Sequence, residues 1–127
     1  GGLAILVALP AALFFHAYPD FLRKDSEHST RAAQGVIRDA LTNYFGYNGG
    51  KYPSTLDALA VGGKYITRIP KARLYRRHPD SAAVRYGDAA DDAGGWHYDN
   101  VPGRPTYGRL WVNCTHTDTR GSVWTSY

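Results

Sequence analysis

Apolar positions fall into three regimes along the chain. From Leu3 to Phe15 the run LAILVALPAALFF carries no charge and no polar side chain. From Asp20 onward, Phe21, Ala32, Ala33, Val36, Ile37, Ala40, Leu41, Tyr44 and Phe45 recur at three- and four-residue steps among charged residues, which predicts a helix with one buried face. Gly46 and Asn48-Gly49-Gly50 tolerate positive φ and mark its end. The third regime consists of short runs rich in aromatic and β-branched residues, at 95–98, 109–115 and 122–127, which read as strands.

Between these regimes, Tyr52-Pro53-Ser54-Thr55-Leu56-Asp57-Ala58-Leu59 predicts a short second helix, with Ser54 as its cap and Asp57 returning the hydrogen bond. Gly62-Gly63 ends it, and Ile66 to Pro70 leads into a basic connection expected at the surface. Val101-Pro102-Gly103-Arg104-Pro105 is too proline-rich for a strand. The last two strand-like runs are joined by 116–121, a loop of hairpin length, so an antiparallel meander of three or four strands is expected. The fold class is therefore α+β: a long N-terminal helix, kinked near Pro10 and loosened at Gly2, packed on a small C-terminal antiparallel sheet. Two parts follow, a helix over 1–46 (apolar over 1–18, amphipathic over 19–46) and a globular head over 47–127.

The apolar run must be buried. As a helix its 13 residues span about 20 Å, short of the roughly 30 Å hydrocarbon core of a bilayer, so the run is expected either to continue upstream or to pack in protein. A signal peptide would show a basic start, which is missing. No methionine occurs, and the chain is expected to be a processed or trimmed product.

Composition narrows the chemistry. At 127 residues the chain holds one core. Cys114 is the single cysteine, which excludes an intrachain disulfide and a multi-cysteine metal site. The histidines, His16, His28, His78, His97 and His116, show no pair at helical metal-ligand spacing, and Cys114-Thr115-His116 lacks the second cysteine of a haem attachment motif. Neither a metal nor a cofactor is expected. Asp88, Asp91 and Asp92, set among alanines, read as an exposed turn rather than a cation loop. Without a nucleophile elbow there is no anchor for a catalytic triad, so no catalytic residue is assigned and no enzyme activity is expected. The net charge is +4, and Arg68, Lys71, Arg73, Arg76 and Arg77 form a basic strip. That strip is a candidate for polyanion or intersubunit contacts, with a solvated face the plainer reading. Asn113-Cys114-Thr115 fits a glycosylation sequon but falls in an expected strand.

The order of these elements resembles a type IV pilin or a type II secretion pseudopilin over residues 1–70. Gly2-Leu3-Ala4-Ile5-Leu6-Val7-Ala8-Leu9-Pro10 resembles the middle of the pilin N-terminal helix. Asn43-Tyr44 through Tyr52-Pro53, with Leu56, Leu59 and Ile69-Pro70, resemble the major-pseudopilin pattern. Beyond Pro70 the chain diverges: Lys71-Ala72-Arg73 replaces the aspartate, proline and tryptophan motif of the pseudopilins, and a tryptophan-rich end replaces their acidic calcium loop. The resemblance implies a structural subunit that is anchored in the inner membrane before assembly and then polymerises into an extracellular pilus or a periplasmic pseudopilus. Its partners would be copies of itself and the pilus or secretion assembly machinery. Leu3, Ile5, Leu6, Val7, Leu9, Leu13, Phe14 and Phe15 would pack the filament core. The alternative from another class is a membrane-anchored binding module that grips DNA or another polymer.

Overall fold

A computed structural model describes residues 19–127, together with the course of the helix that leads into them. Helix α1 (Gly2–Tyr47) is followed by two short 3-10 turns, Leu56–Leu59 and Val61–Gly63, and by five strands: β1 (Ala72–Leu74), β2 (His78–Ser81), β3 (Val84–Tyr86), β4 (Trp96–Tyr98) and β5 (Leu110–Val112). A last 3-10 turn, Trp124–Ser126, closes the chain. The α+β class and the long helix agree with the sequence pattern. Gly2, Pro10 and the expected kink lie outside the described residues, as do the side chains of Leu3, Ile5, Leu6, Val7, Leu9, Leu13, Phe14 and Phe15.

The buried face of α1 changes chemistry along its length. Ile37, Ala40 and Leu41 are buried against the head with Leu56, Leu59, Ala72, Leu74, Trp96, Tyr98, Leu110, Val112, Cys114 and Trp124. One to three turns earlier, the same face buries Ser26, Glu27, Thr30 and Gln34 instead. Burying polar groups is tolerable only where each finds a partner, and each does. Thr30 Oγ1 accepts from the Arg73 N–H at 2.8 Å and donates to the Arg73 carbonyl at 2.6 Å, which pins β1 to the helix. Ser26 Oγ accepts the Tyr75 N–H at 3.3 Å, and Gln34 Nε2 donates to the Leu110 carbonyl at 3.3 Å.

The strands differ from the expected meander in two ways. β1 and β2 form a separate antiparallel pair, so the basic connection is partly a hairpin whose Ala72 and Leu74 are core residues. The three-stranded sheet, ordered β3-β4-β5, is mixed rather than antiparallel: β3 and β4 run parallel, and β4 and β5 antiparallel. The loop 87–95 carries the chain back across to start β4 beside β3.

The C-terminal run is not a strand either. Thr117 and Val123 form an isolated bridge, and the Asp118 carboxylate takes the N–H groups of Arg120 and Ser122 at 2.9 and 3.0 Å, which winds 118–122 into a turn. Trp124 is thereby delivered into the core, 1% exposed, with the Arg31 guanidinium 5.6 Å above its ring. The capping box at Ser54 does not form. The helical turn begins after Thr55 with no side-chain cap, and the Leu56 N–H donates to the Tyr86 hydroxyl at 3.2 Å.

Candidate functional sites: a helix docked by one half, and a histidine, cysteine and aspartate cluster

Two features of the structure are candidates for function, and the first is the division of α1. Hydrogen bonds and ion pairs from the described part of the helix to the head begin at Arg23, whose guanidinium donates to the Thr117 carbonyl at 3.1 Å. Asp25 faces Arg73 at 3.9 Å, Arg31 pairs with Asp118 at 3.2 Å, and Arg38 donates to the carbonyls of Leu110 and Tyr127 at 2.9 and 2.8 Å. Phe21, just before this docked stretch, is 63% exposed. Among the described residues no helix is long and apolar enough to cross a membrane.

Arg68, Lys71, Arg76 and Arg77 are exposed. Arg73 is committed to Asp80 at 3.6 Å as well as to Asp25. Arg76 and Arg77 border a shallow groove with Tyr75, Pro19, Asp20 and Arg23, on the side of the head where α1 enters it.

The second feature joins residues that are far apart in sequence. His78 opens β2, Asp92 lies in the crossover loop, and Cys114 and His116 follow β5. One ligand atom from each of the four lies within 4.8 Å of the others. His78 Nε2 is 3.0 Å from Asp92 Oδ1, His116 Nδ1 is 3.4 Å from the same oxygen, and Cys114 Sγ is 3.4 Å from His116 Nδ1. The two imidazoles meet at 64° with ring centroids 5.5 Å apart.

Local structure fixes the segments that carry these side chains. The Asn113 carboxamide clamps the crossover loop: its oxygen accepts the N–H groups of Asp91 and Asp92 at 3.0 and 3.2 Å, and its nitrogen donates to Asp91 Oδ1 at 2.6 Å. Asp92 sits at φ 59°, in the left-handed region that aspartate enters more readily than most residues. Gly94 packs directly on His78, where an added Cβ would lie 2.9 Å from the histidine Cβ.

Electrostatics separates the members. The Thr115 N–H, donating at 2.9 Å, holds the Asp92 carboxyl below the usual carboxylate range, helped by His78 and His116 against the opposing effect of partial burial. Burial pushes the Cys114 thiol up, and the neighbouring Asp92 carboxylate adds to this, so the free thiol stays protonated at neutral pH.

The sequence shows five scattered histidines and three aspartates in one turn; the fold sorts them. Asp91 pairs with Arg85 at 3.2 Å and Asp88 faces Arg104 at 3.6 Å, while Asp92 turns to His78 and His116, so the three carboxylates have different partners. His97 stacks on Trp111 at 4.6 Å and bonds to the Gly87 carbonyl at 2.6 Å. The signal within the sequence was the pair Cys114-x-His116, two potential ligands on adjacent same-side positions just past a strand. Comparison with family models, with characterised proteins and with solved structures returns no match for this chain.

Proposed function

We propose that this protein is the structural subunit of a type IV pilin-like filament and that it polymerises through the N-terminal part of α1. One observation supports the reading above the rest: α1 is assigned as one helix from Gly2 to Tyr47, yet the head holds it from Arg23 onward, and the stretch before that includes the uncharged run from Leu3 to Phe15. An apolar helix joined to a polar head gains most by bundling with the same helix of other copies, at about 1.5–3 kcal/mol per buried large side chain. Contacts of this kind are heterologous, and when the rotation does not close they build a helical filament. The polar interface between α1 and the head suits that task, because the paired groups of Ser26, Glu27, Thr30 and Gln34 fix the helix in one register while its N-terminal part carries load.

Electron microscopy of material sheared from producing cells tests the reading, with mass spectrometry identifying the subunit. Thin filaments containing this chain are expected. Leu6→Asp or Leu13→Asp should abolish them while the head still folds, because a charge unpaired in a helical bundle costs several kcal/mol. Normal filaments from either variant, or a detergent-soluble monomer as the wild type's only form, would overturn the proposal and favour a membrane-anchored binding module.

A further inference from the structure

We infer that His78, Asp92, Cys114 and His116 form a metal site for a borderline-soft divalent cation, zinc above all, which staples the crossover loop to the start of β2 and the end of β5. The donor set is the first argument. Two imidazole nitrogens, one sulfur and one carboxylate oxygen suit zinc, whereas calcium and magnesium call for six or more oxygen ligands, and this cluster offers a single carboxylate.

Geometry is the second argument. Zinc bonds of about 2.0–2.3 Å in a tetrahedron place neighbouring ligand atoms about 3.3–3.7 Å apart. The separations of 3.0, 3.4 and 3.4 Å among Asp92, His78, His116 and Cys114 are already near that spacing. Binding would need only small side-chain rotations, from a backbone already fixed by the Asn113 clamp and by the contact of Gly94 with His78.

Burial is the third. Cys114 is fully buried and the His78 side chain is 11% exposed, while the side chains of Asp92 and His116 are 34% and 39% exposed. The site thus has a dry floor and an open rim through which an ion enters. On binding, the Cys114 thiol releases its proton to solvent and its sulfur takes a bond to the metal. Four protein ligands complete the coordination, so the site is structural rather than catalytic. Because the ligands come from three segments, binding energy is folded-state stability.

The test uses the full chain in detergent, stripped with a chelator and titrated with zinc chloride against a chromophoric zinc indicator. Expected is one equivalent of zinc, bound at least tenfold more tightly than by Cys114→Ser or by His116→Ala, together with a rise in melting temperature that both variants lose. His116 lies at the rim, so its variant keeps the fold, which circular dichroism checks. Cobalt(II) added to the wild type gives an independent readout: intense visible bands of a tetrahedral ion and a near-ultraviolet thiolate-to-cobalt band. Absence of stoichiometric zinc, uptake by both variants equal to that of the wild type, or a cobalt spectrum without the thiolate band would each overturn the assignment.

Discussion

Glu27 on α1 receives both donors of Thr119: the backbone N–H at 2.9 Å on one carboxylate oxygen and the hydroxyl at 2.5 Å on the other. The two residues are far apart in sequence, and Glu27 is 3% exposed. This forked contact ties the C-terminal loop to the outermost docked turn of the helix, where Arg23 also pairs with Glu27 at 3.4 Å. A buried carboxylate is costly unless it is fully partnered, and here the partners come from both the helix and the head.

Glu27→Ala should therefore destabilise the head by about 1–3 kcal/mol, since it removes the charge-assisted bonds from both donors of Thr119. Thr119→Ala loses only the hydroxyl bond and should cost about 1 kcal/mol. Denaturant unfolding followed by tryptophan fluorescence measures both. A double-mutant cycle with no coupling between the two positions would show that the contact contributes nothing.

How much of this was legible in the sequence depends on the range of the interaction that decides each element. α1 was readable because its buried face repeats at helical spacing from Ala33 to Tyr44, a local signal. The runs at Trp96 and Leu110 were readable as strands because they are short, aromatic and β-branched. Trp124 reads as strand because its neighbours look like one, while its conformation is set by the Asp118 carboxylate capturing the N–H groups of Arg120 and Ser122. The parallel pairing of β3 with β4 was hidden for a similar reason. It depends on Gly95, whose N-terminal neighbours give no periodic signal. The cluster of His78, Asp92, Cys114 and His116 needs that same crossover, so no spacing rule brought its members together.

Gly95 gives a sharp test of the crossover. Its φ is 68°, and an added Cβ would lie 2.3 Å from the Ala83 carbonyl oxygen, the same oxygen that accepts the Trp96 N–H at 2.8 Å. A backbone atom cannot swing aside as a flexible side chain can. Gly95→Ala should cost about 3 kcal/mol or more, from left-handed strain and overlap together. Gly49, at φ 66° with nothing within 4 Å of an added Cβ, is the control. Gly49→Ala should cost only the strain, about 1–2 kcal/mol. Equal melting temperatures for the two variants would contradict the close approach of β3 and β4 at this point.

Asp99, directly after β4, governs the acid response of the loop that leads to β5. Its side chain is fully buried, which by itself would raise its pKa. That effect is outweighed by the Thr106 hydroxyl at 2.5 Å, the Val101 N–H at 3.1 Å and the Arg104 guanidinium at 3.5 Å, with His97 nearby, so the carboxyl is held below the usual range. A carboxyl whose pKa is depressed on folding adds stability above its unfolded pKa, about 3.9, and that contribution is lost as pH falls through the folded value. Asp99→Asn keeps the shape without the charge and should lower stability by about 1.5–3 kcal/mol at pH 7. Below about pH 4 the gap between wild type and variant should begin to narrow, because the unfolded wild type takes up a proton at this position before the folded form does, while the asparagine has nothing to titrate. Urea midpoints measured from pH 7 to pH 3 decide the matter. Arg104 also faces Asp88 at 3.6 Å, so Asp88→Asn is the comparison that assigns the effect to Asp99: it leaves the Thr106 and Val101 bonds in place and should leave the pH dependence nearly unchanged. A gap that stays constant across the pH range would mean that the buried carboxylate does not supply the pH-dependent stability assigned to it.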